Sequence, residues 1–235
     1  KKIYKKNQKI FIELHIEQGP ILENIKKSIG IVIGAQGSRG FDIEFIGEDS
    51  HSGTTPMINR KDSVVALSNF IVEFTNESKQ LHKDLRSTVG NIVTLPGSRN
   101  TVSGKSLITV DIRHPNPIIL NKIEEVIKLI CKRIKLKFKI NTVIQKKYIL
   151  PTVNFNSKII SIIKSSCKDL SYTHTKILSG AGHDAVSLSK VIPSGMIFIP
   201  CRKGISHSEK EYASSKDLIA GCNVLLNSIL KINKN

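Results

Sequence analysis

The sequence predicts an α/β chain, in which a mainly parallel-sheet domain is interrupted by a ferredoxin-like (βαββαβ) unit. Three observations predict this. Between residues 40 and 146 the hydrophobic period runs strand, helix, strand, strand, helix, strand. Beyond residue 149 amphipathic helices alternate with an apolar strand, which suits parallel pairing. Residues 1–38 and 149–235 are therefore expected to form one domain, with residues 39–148 inserted into it.

The first strand covers residues 10–16, and a turn with a short helix follows in "GPILENIKKSIG". "IGIVIGAQG" is a β-branched segment ending in glycines. "GFDIEFIGE" alternates Phe41, Ile43 and Phe45 with Asp42 and Glu44, the mark of a half-buried strand. After the loop "GEDSHSGTTPM", Val64, Leu67, Phe70, Ile71 and Phe74 recur at helical spacing. "STVGNIVTLPG" and "SLITVDIRH" are strands around the turn "GSRNTVSGK". Asn116-Pro117 supplies a cap and first turn for an amphipathic helix, and "LKFKINTVIQ" is the closing strand of the insert. "SKIISIIKSSCK" begins another helical region. Then come "SGAGHDAVSLSK", the strand "SGMIFIP", the loop "CRKGISHSEKEY" and the helix "SKDLIAGCNVLLNSILKI". In this arrangement residues 40–146 should form strands that pair with one another and not with residues 190–200.

With 235 residues, 40% of them hydrophobic, the chain can bury real cores. It has no apolar run of about 20 residues, so no membrane span is expected. The opening "KKIYKKNQKI" is basic but lacks the apolar centre of a signal peptide. There is no initiator Met, and the chain reads as a piece whose N-terminal part is missing. The net charge of +17 fits either a nucleic-acid partner or compositional drift toward Lys, Ile and Asn. Drift is the better reading: the lysines are scattered, and 5% aromatics give no obvious base-stacking surface. Cys131, Cys167, Cys201 and Cys222 form no CxxC pair and are expected to be reduced thiols of a cytoplasmic protein.

The chemistry concentrates in a few places. In "FIELHIEQG", Glu13, His15 and Glu17 fall on every second residue and so share one strand face. Such a face must meet water or something that wants lone pairs, such as a metal ion. His183 in "SGAGHDA" follows Gly180 and Gly182, which permit close backbone approach. Taken alone it reads slightly better as a helix-start His with Asp184 capping. His51 sits in a polar loop, and alone it reads as solvated. Arg113 ends a strand that alternates Leu107, Thr109 and Asp111 with apolar residues.

Five motifs tie these together. "ELHIEQGPILE", "HSGTTPM", "RNTVSGK" with "DIRH", "SGAGHDA" and "MIFIPCRKGISHSEKEY" stand in this order over residues 11–212. The chain resembles the M20-type metal-dependent amidohydrolases, in the branch of allantoate amidohydrolase, N-carbamoyl-L-amino-acid hydrolase and ureidopropionase, truncated at its N-terminus. The resemblance implies part of a metallohydrolase domain carrying an inserted lid that also forms a homodimer. It implies two divalent metal ions per full-length subunit, Zn²⁺ or Mn²⁺, with His15 and His183 as ligands. These residues lie 168 positions apart (183 − 15) and should meet in space. Asp184 would partner His183. His51 would reach across the dimer to stabilise an oxyanion. Gln18, Arg39, Asn100 and Arg113 would bind substrate, Arg113 by a fork on its carboxylate. Gly204, Ser206 and His207 would lie near the site.

The implied reaction is hydrolysis of a linear C–N bond in a small ureido acid such as allantoate or an N-carbamoyl amino acid. A peptidase or deacylase of the wider family, a basic ferredoxin-like nucleic-acid-binding module and a decayed remnant are the alternatives. The family's preceding His, bridging Asp and Glu-Glu pair are not among these residues. The chain alone is therefore expected to bind metal weakly and to turn over poorly. The loop from Asn100 to Arg113 is also shorter than in the family, and "GSRG" holds a single Arg.

Overall fold

In a computed structural model, which describes residues 10–234, the chain begins with β1 (Phe11–Ile16), α1 (Ile21–Asn24) and β2 (Ile29–Ala35). A middle section follows: β3 (Gly37–Ile46), β4 (Ser50–His51), α2 (Ser63–Leu81), β5 (Arg86–Leu95), β6 (Thr101–Val102), β7 (Lys105–His114), α3 (Pro117–Phe138) and β8 (Asn141–Leu150). The last section holds β9 (Val153–Asn154), α4 (Ser157–Asp169), β10 (His174–Ser179), α5 (Asp184–Leu188), β11 (Ser194–Ile199) and α6 (Ser215–Lys234). Contacts divide the chain into two units, one ending at Gln36 and resuming at Val153, the other spanning Gly37–Thr152.

The discontinuous unit is built on a sheet in the order β1-β11-β2-β10, with β9 on β2. This sheet is mixed, which corrects the expectation of a mainly parallel one. β1 and β11 are parallel, as are β2 and β10, but β2 runs antiparallel to both β11 and β9. The cause lies between β1 and β2. A parallel return needs a connection that travels back along the sheet, usually a full helix. α1 is only four residues long, so the chain simply reverses. β10 carries no clear period in sequence, because "HTKILS" opens on three polar residues and buries only Ile177 and Ser179.

Both faces of this sheet are covered. Ile29, Ile31, Ile197 and Ile199 pack against Ile159 and Ile163 of α4 and Val224 of α6. Val32, Met196 and Phe198 pack on the other face with Leu22 and Ala185. β11 is buried at every position. Each large apolar side chain so buried contributes roughly 1.5–3 kcal/mol. Gly195 allows α4 to lie close, since a Cβ there would stand 2.3 Å from Ile159 Cγ2.

The second unit has a four-stranded antiparallel sheet in the order β5-β7-β3-β8. Phe41, Ile43, Phe45, Ile108, Val110 and Ile112 face α2 and α3, meeting Phe70, Phe74, Ile123 and Ile127. β11 pairs with β1 and β2 and, among the described residues, with no strand of this sheet. Asp62 caps α2 by accepting from Val64 N at 2.9 Å and Val65 N at 3.2 Å. Asn116 caps α3 by accepting from Ile118 N at 2.8 Å, with Pro117 in the first turn. "LKF" is the end of α3 and not the start of a strand: the helix stops only where Lys139 turns left-handed, at φ 56°. β4 and β6 form a separate small ladder, in which His51 pairs with Thr101.

Candidate functional site

The alternating charges of β1 part company in the structure. Glu17 lies just past the strand and turns back on α1. Its carboxylate accepts from Ile21 N at 2.8 Å and Leu22 N at 2.7 Å. Burial pushes its pKa up, against the pull of those two amide bonds. Glu13 and His15 instead meet the start of α5. Glu13 Oε2 accepts from Ala185 N at 2.7 Å, and Glu13 Oε1 lies 3.5 Å from His183 Nδ1.

The His15 and His183 rings meet edge to face, with centroids 4.7 Å apart. His15 Nδ1 lies 2.9 Å from Ile16 O, a carbonyl that can only accept. Nδ1–H donates to it, so in the neutral ring the lone pair lies on Nε2. His183 is the N-cap of α5, with Nε2 2.9 Å from Ser179 Oγ and Phe198 behind its ring at 5.5 Å. Its side chain is 2% exposed. Burial, and then the charge of His15, push its pKa down to about 4, with Asp184 opposing. His183 is thus neutral near pH 7 and able to offer a lone pair.

One donor atom from each of Glu13, His15 and His183 lies within 4.8 Å of the others. Two imidazoles and a carboxylate are the donor set of a borderline divalent ion. Glu13 is the member that the sequence reading left out of its site. The signal for it was its period-two spacing from His15. It is Glu13, rather than Asp184, whose carboxylate meets the His183 ring.

Gln18, at φ 56°, stands at the end of β1. Its Nε2 donates to Ser206 Oγ at 2.9 Å and lies 3.5 Å from His207 Nε2. The loop carrying those residues is seated on the strand end. Lys203 N donates to Glu23 Oε2 at 2.6 Å. Gly204, at φ 65°, packs so closely on Gly19 that a Cβ would come within 2.7 Å of its carbonyl carbon. Ser206 and His207 therefore belong beside Gln18.

The remaining candidates lie in the second unit. His51 is exposed, and its Nδ1 accepts from Gly53 N at 3.1 Å. Asn100 precedes Thr101, the residue paired with His51, and its carbonyl accepts from Ser52 N at 2.9 Å. Arg113 donates from Nε to Asp111 Oδ1 at 2.8 Å and from Nη2 to Asp111 Oδ2 at 3.2 Å. Arg39 departs from its expected substrate role. It is buried on the helix-covered face, where Nη1 donates to Leu120 O at 2.8 Å and Glu124 Oε2 at 2.7 Å, and Nη2 donates to Asn121. An Arg on β3 with the parity of Phe41 must face α3, and its guanidinium is held there.

The model for peptidase family M20/M25/M40 matches residues 2–231. The chain belongs to this family. Among M20 relatives it is 39% identical over 228 residues to an N-carbamoyl-L-amino-acid amidohydrolase from Pseudomonas sp. (strain NS671), covering 95% of this chain and 54% of that protein. It is 33% identical over 229 residues to an allantoate amidohydrolase from Bacillus subtilis (strain 168), covering 97% and 56%. Among solved structures, an amidase of the hydantoinase/carbamoylase family from Burkholderia vietnamiensis superposes with a TM-score of 0.90 at 36% identity, covering 97% of this chain and 55% of that one. The M20 chain thus spans about half the length of the curated relatives it matches. Among the described residues, no helix is long and apolar enough to cross a membrane.

Proposed function

We propose that this M20 chain carries part of a metal-dependent hydrolase that cleaves the C–N bond of a small ureido or carbamoyl acid, such as allantoate or an N-carbamoyl amino acid. The observation that carries this reading is the cluster of Glu13, His15 and His183, in a chain whose relatives bear carbamoylase and allantoate amidohydrolase names. Glu13, His15 Nε2 and His183 would hold metal, in a centre of two divalent ions, Zn²⁺ or Mn²⁺, completed by residues beyond these. When bound, such ions polarise a carbonyl and lower the pKa of water.

The other residues have chemistry suited to the rest of the task. Gln18 offers an amide N–H donor at the strand end, with Ser206 and His207 beside it. We read the unit 37–152, with its sheet in the order β5-β7-β3-β8, as a ferredoxin-like lid and dimerisation domain inserted into the catalytic one. In a homodimer His51 and Asn100 would donate to the substrate of the other subunit, where charge develops on the carbonyl oxygen. Arg113 would take the substrate carboxylate. The four cysteines are unbridged, in keeping with a cytoplasmic protein.

The test is a chimera in which residues 10–234 replace the matching segment of the Pseudomonas carbamoylase. It should hydrolyse an N-carbamoyl amino acid or allantoate and leave a dipeptide intact. Cleavage of the dipeptide alone would move the reading to the peptidases. A folded, metal-loaded chimera inert toward all three substrates would refute it.

A further inference from the structure

Tyr148 faces the opposite way from what its strand position dictates. On β8, Ile144 packs on the core and Lys146 reaches Glu124 of α3 at 2.7 Å, so both face the helices. Period-two alternation would send Tyr148 the same way. A bulge prevents it: Phe41 pairs with Lys146 but Gly40 pairs with Tyr148, leaving Lys147 as the extra residue. Tyr148 therefore emerges on the open face of the sheet. There its ring covers Gly40, where an added Cβ would come within 2.2 Å of it. Asp111 pairs with Gly40 from the other side. The Tyr148 hydroxyl crosses the glycine and donates to Asp111 Oδ2 at 2.5 Å. The same carboxylate grips Arg113 through Nε and Nη2. A bulge, a glycine and a strand register thus converge on one hydrogen bond.

We propose that Tyr148, acting through Asp111, is a positioning residue that sets the Arg113 guanidinium for a substrate carboxylate. This rests on the reading of Arg113 given above and adds a device that orients it. A bidentate pair is directional, so a guanidinium held in one plane meets a second carboxylate at a lower ordering cost. The chemistry of the clamp is stable across the neutral range. Burial and the neighbouring Asp111 push Tyr148 ionisation up to about 12, so its hydroxyl remains a donor. Burial pushes the Asp111 carboxyl up, but the bonds from Arg113 and Tyr148 outweigh this and hold it below its usual range.

The test uses the chain itself, with N-carbamoyl-L-alanine as probe and its C-terminal amide as control, by calorimetry. Exchange of the Arg113 Nε–H is followed by NMR without ligand. The wild type should prefer the acid to the amide, and Arg113→Lys should remove that preference. Tyr148→Phe should weaken acid binding by about tenfold, the worth of one hydrogen bond to a charged group, and leave amide binding unchanged. It should also speed Arg113 Nε–H exchange about tenfold, whatever the loss of the hydrogen bond does to the unfolding midpoint. Gly40→Ala, which displaces the ring without touching the polar groups, should do the same to the acid. A merely structural role would weaken both ligands alike, and would overturn the proposal. Unaltered exchange and an unaltered acid preference in Tyr148→Phe would overturn it while leaving Arg113 as the carboxylate reader. If wild type and Arg113→Lys bind acid and amide equally, the carboxylate reading itself falls, and faster exchange in Tyr148→Phe would then mark a clamp without a substrate role.

Discussion

β1 and β7 carry the same device in sequence and use it differently. Each places two ionisable side chains two residues apart on one face: Glu13 and His15 on β1, Asp111 and Arg113 on β7. On β7 the charges are opposite and satisfy one another along the strand, on the sheet face turned away from α2 and α3. On β1 Glu13 turns instead to α5, 172 positions away, accepting from Ala185 N and meeting the His183 ring. Local complementarity leaves a polar face open. Its absence invites a distant element, and with it burial, a lowered His183 pKa and a set of converging lone pairs.

The deepest cut at this comparison is to the core beneath β1. Phe198 is 1% exposed and backs the His183 ring, so Phe198→Ala should cost about 3–5 kcal/mol of unfolding free energy in a denaturant titration. It should weaken cation binding with it. Glu13→Ala or His15→Ala should lower Zn²⁺ affinity by at least about 100-fold in a chelator competition, more than the loss of an outer partner costs. Asp111→Asn should leave that affinity unchanged. An equal loss from the β7 variant would erase the distinction between the strands.

Acid gives a smaller and graded test. His183 has a folded pKa of about 4 against an ordinary 6.5, so between these values the unfolded chain binds the extra proton. The stability from its neutral form is complete above about pH 6.5 and is lost as pH falls toward 4. Burial also lowers the pKa of His114, which adds to the same slope from the second unit. The unfolding midpoint should fall between pH 7 and pH 5, and less steeply in His183→Gln. The smallest expected change is Asp62→Ala, which removes the α2 cap for about 1 kcal/mol and should not alter cation binding.

Much of the fold was legible because period and burial agree. The strand at residues 11–16 and the alternation of Phe41, Ile43 and Phe45 could be read directly, since one apolar face per strand meets a core. Strand direction could not, because it depends on whether a connection such as residues 17–28 holds a travelling helix. β10 was hidden by the polar half of an edge strand. The pairing of His15 with His183 came from motifs alone, as no local rule links residues so far apart. Glu13 was visible by spacing, but Glu17, with the same spacing, lies past the strand end where alternation no longer holds. Arg39 and Tyr148 show the two ways in which a strand misleads. Arg39 shares the parity of Phe41 and so faces α3. For Tyr148 parity is reversed by a bulge that has no sequence mark of its own.

The proposed cation site between β1 and α5 is open to selective ¹⁵N labelling of histidine, followed by Zn²⁺ titration of the chain at pH 7. The His15 Nε2 resonance and the His183 ring should shift together as Zn²⁺ is added, and Glu13→Ala should abolish both changes. Zn²⁺-dependent shifts confined to other histidines, with His15 Nε2 and His183 unmoved, would contradict it.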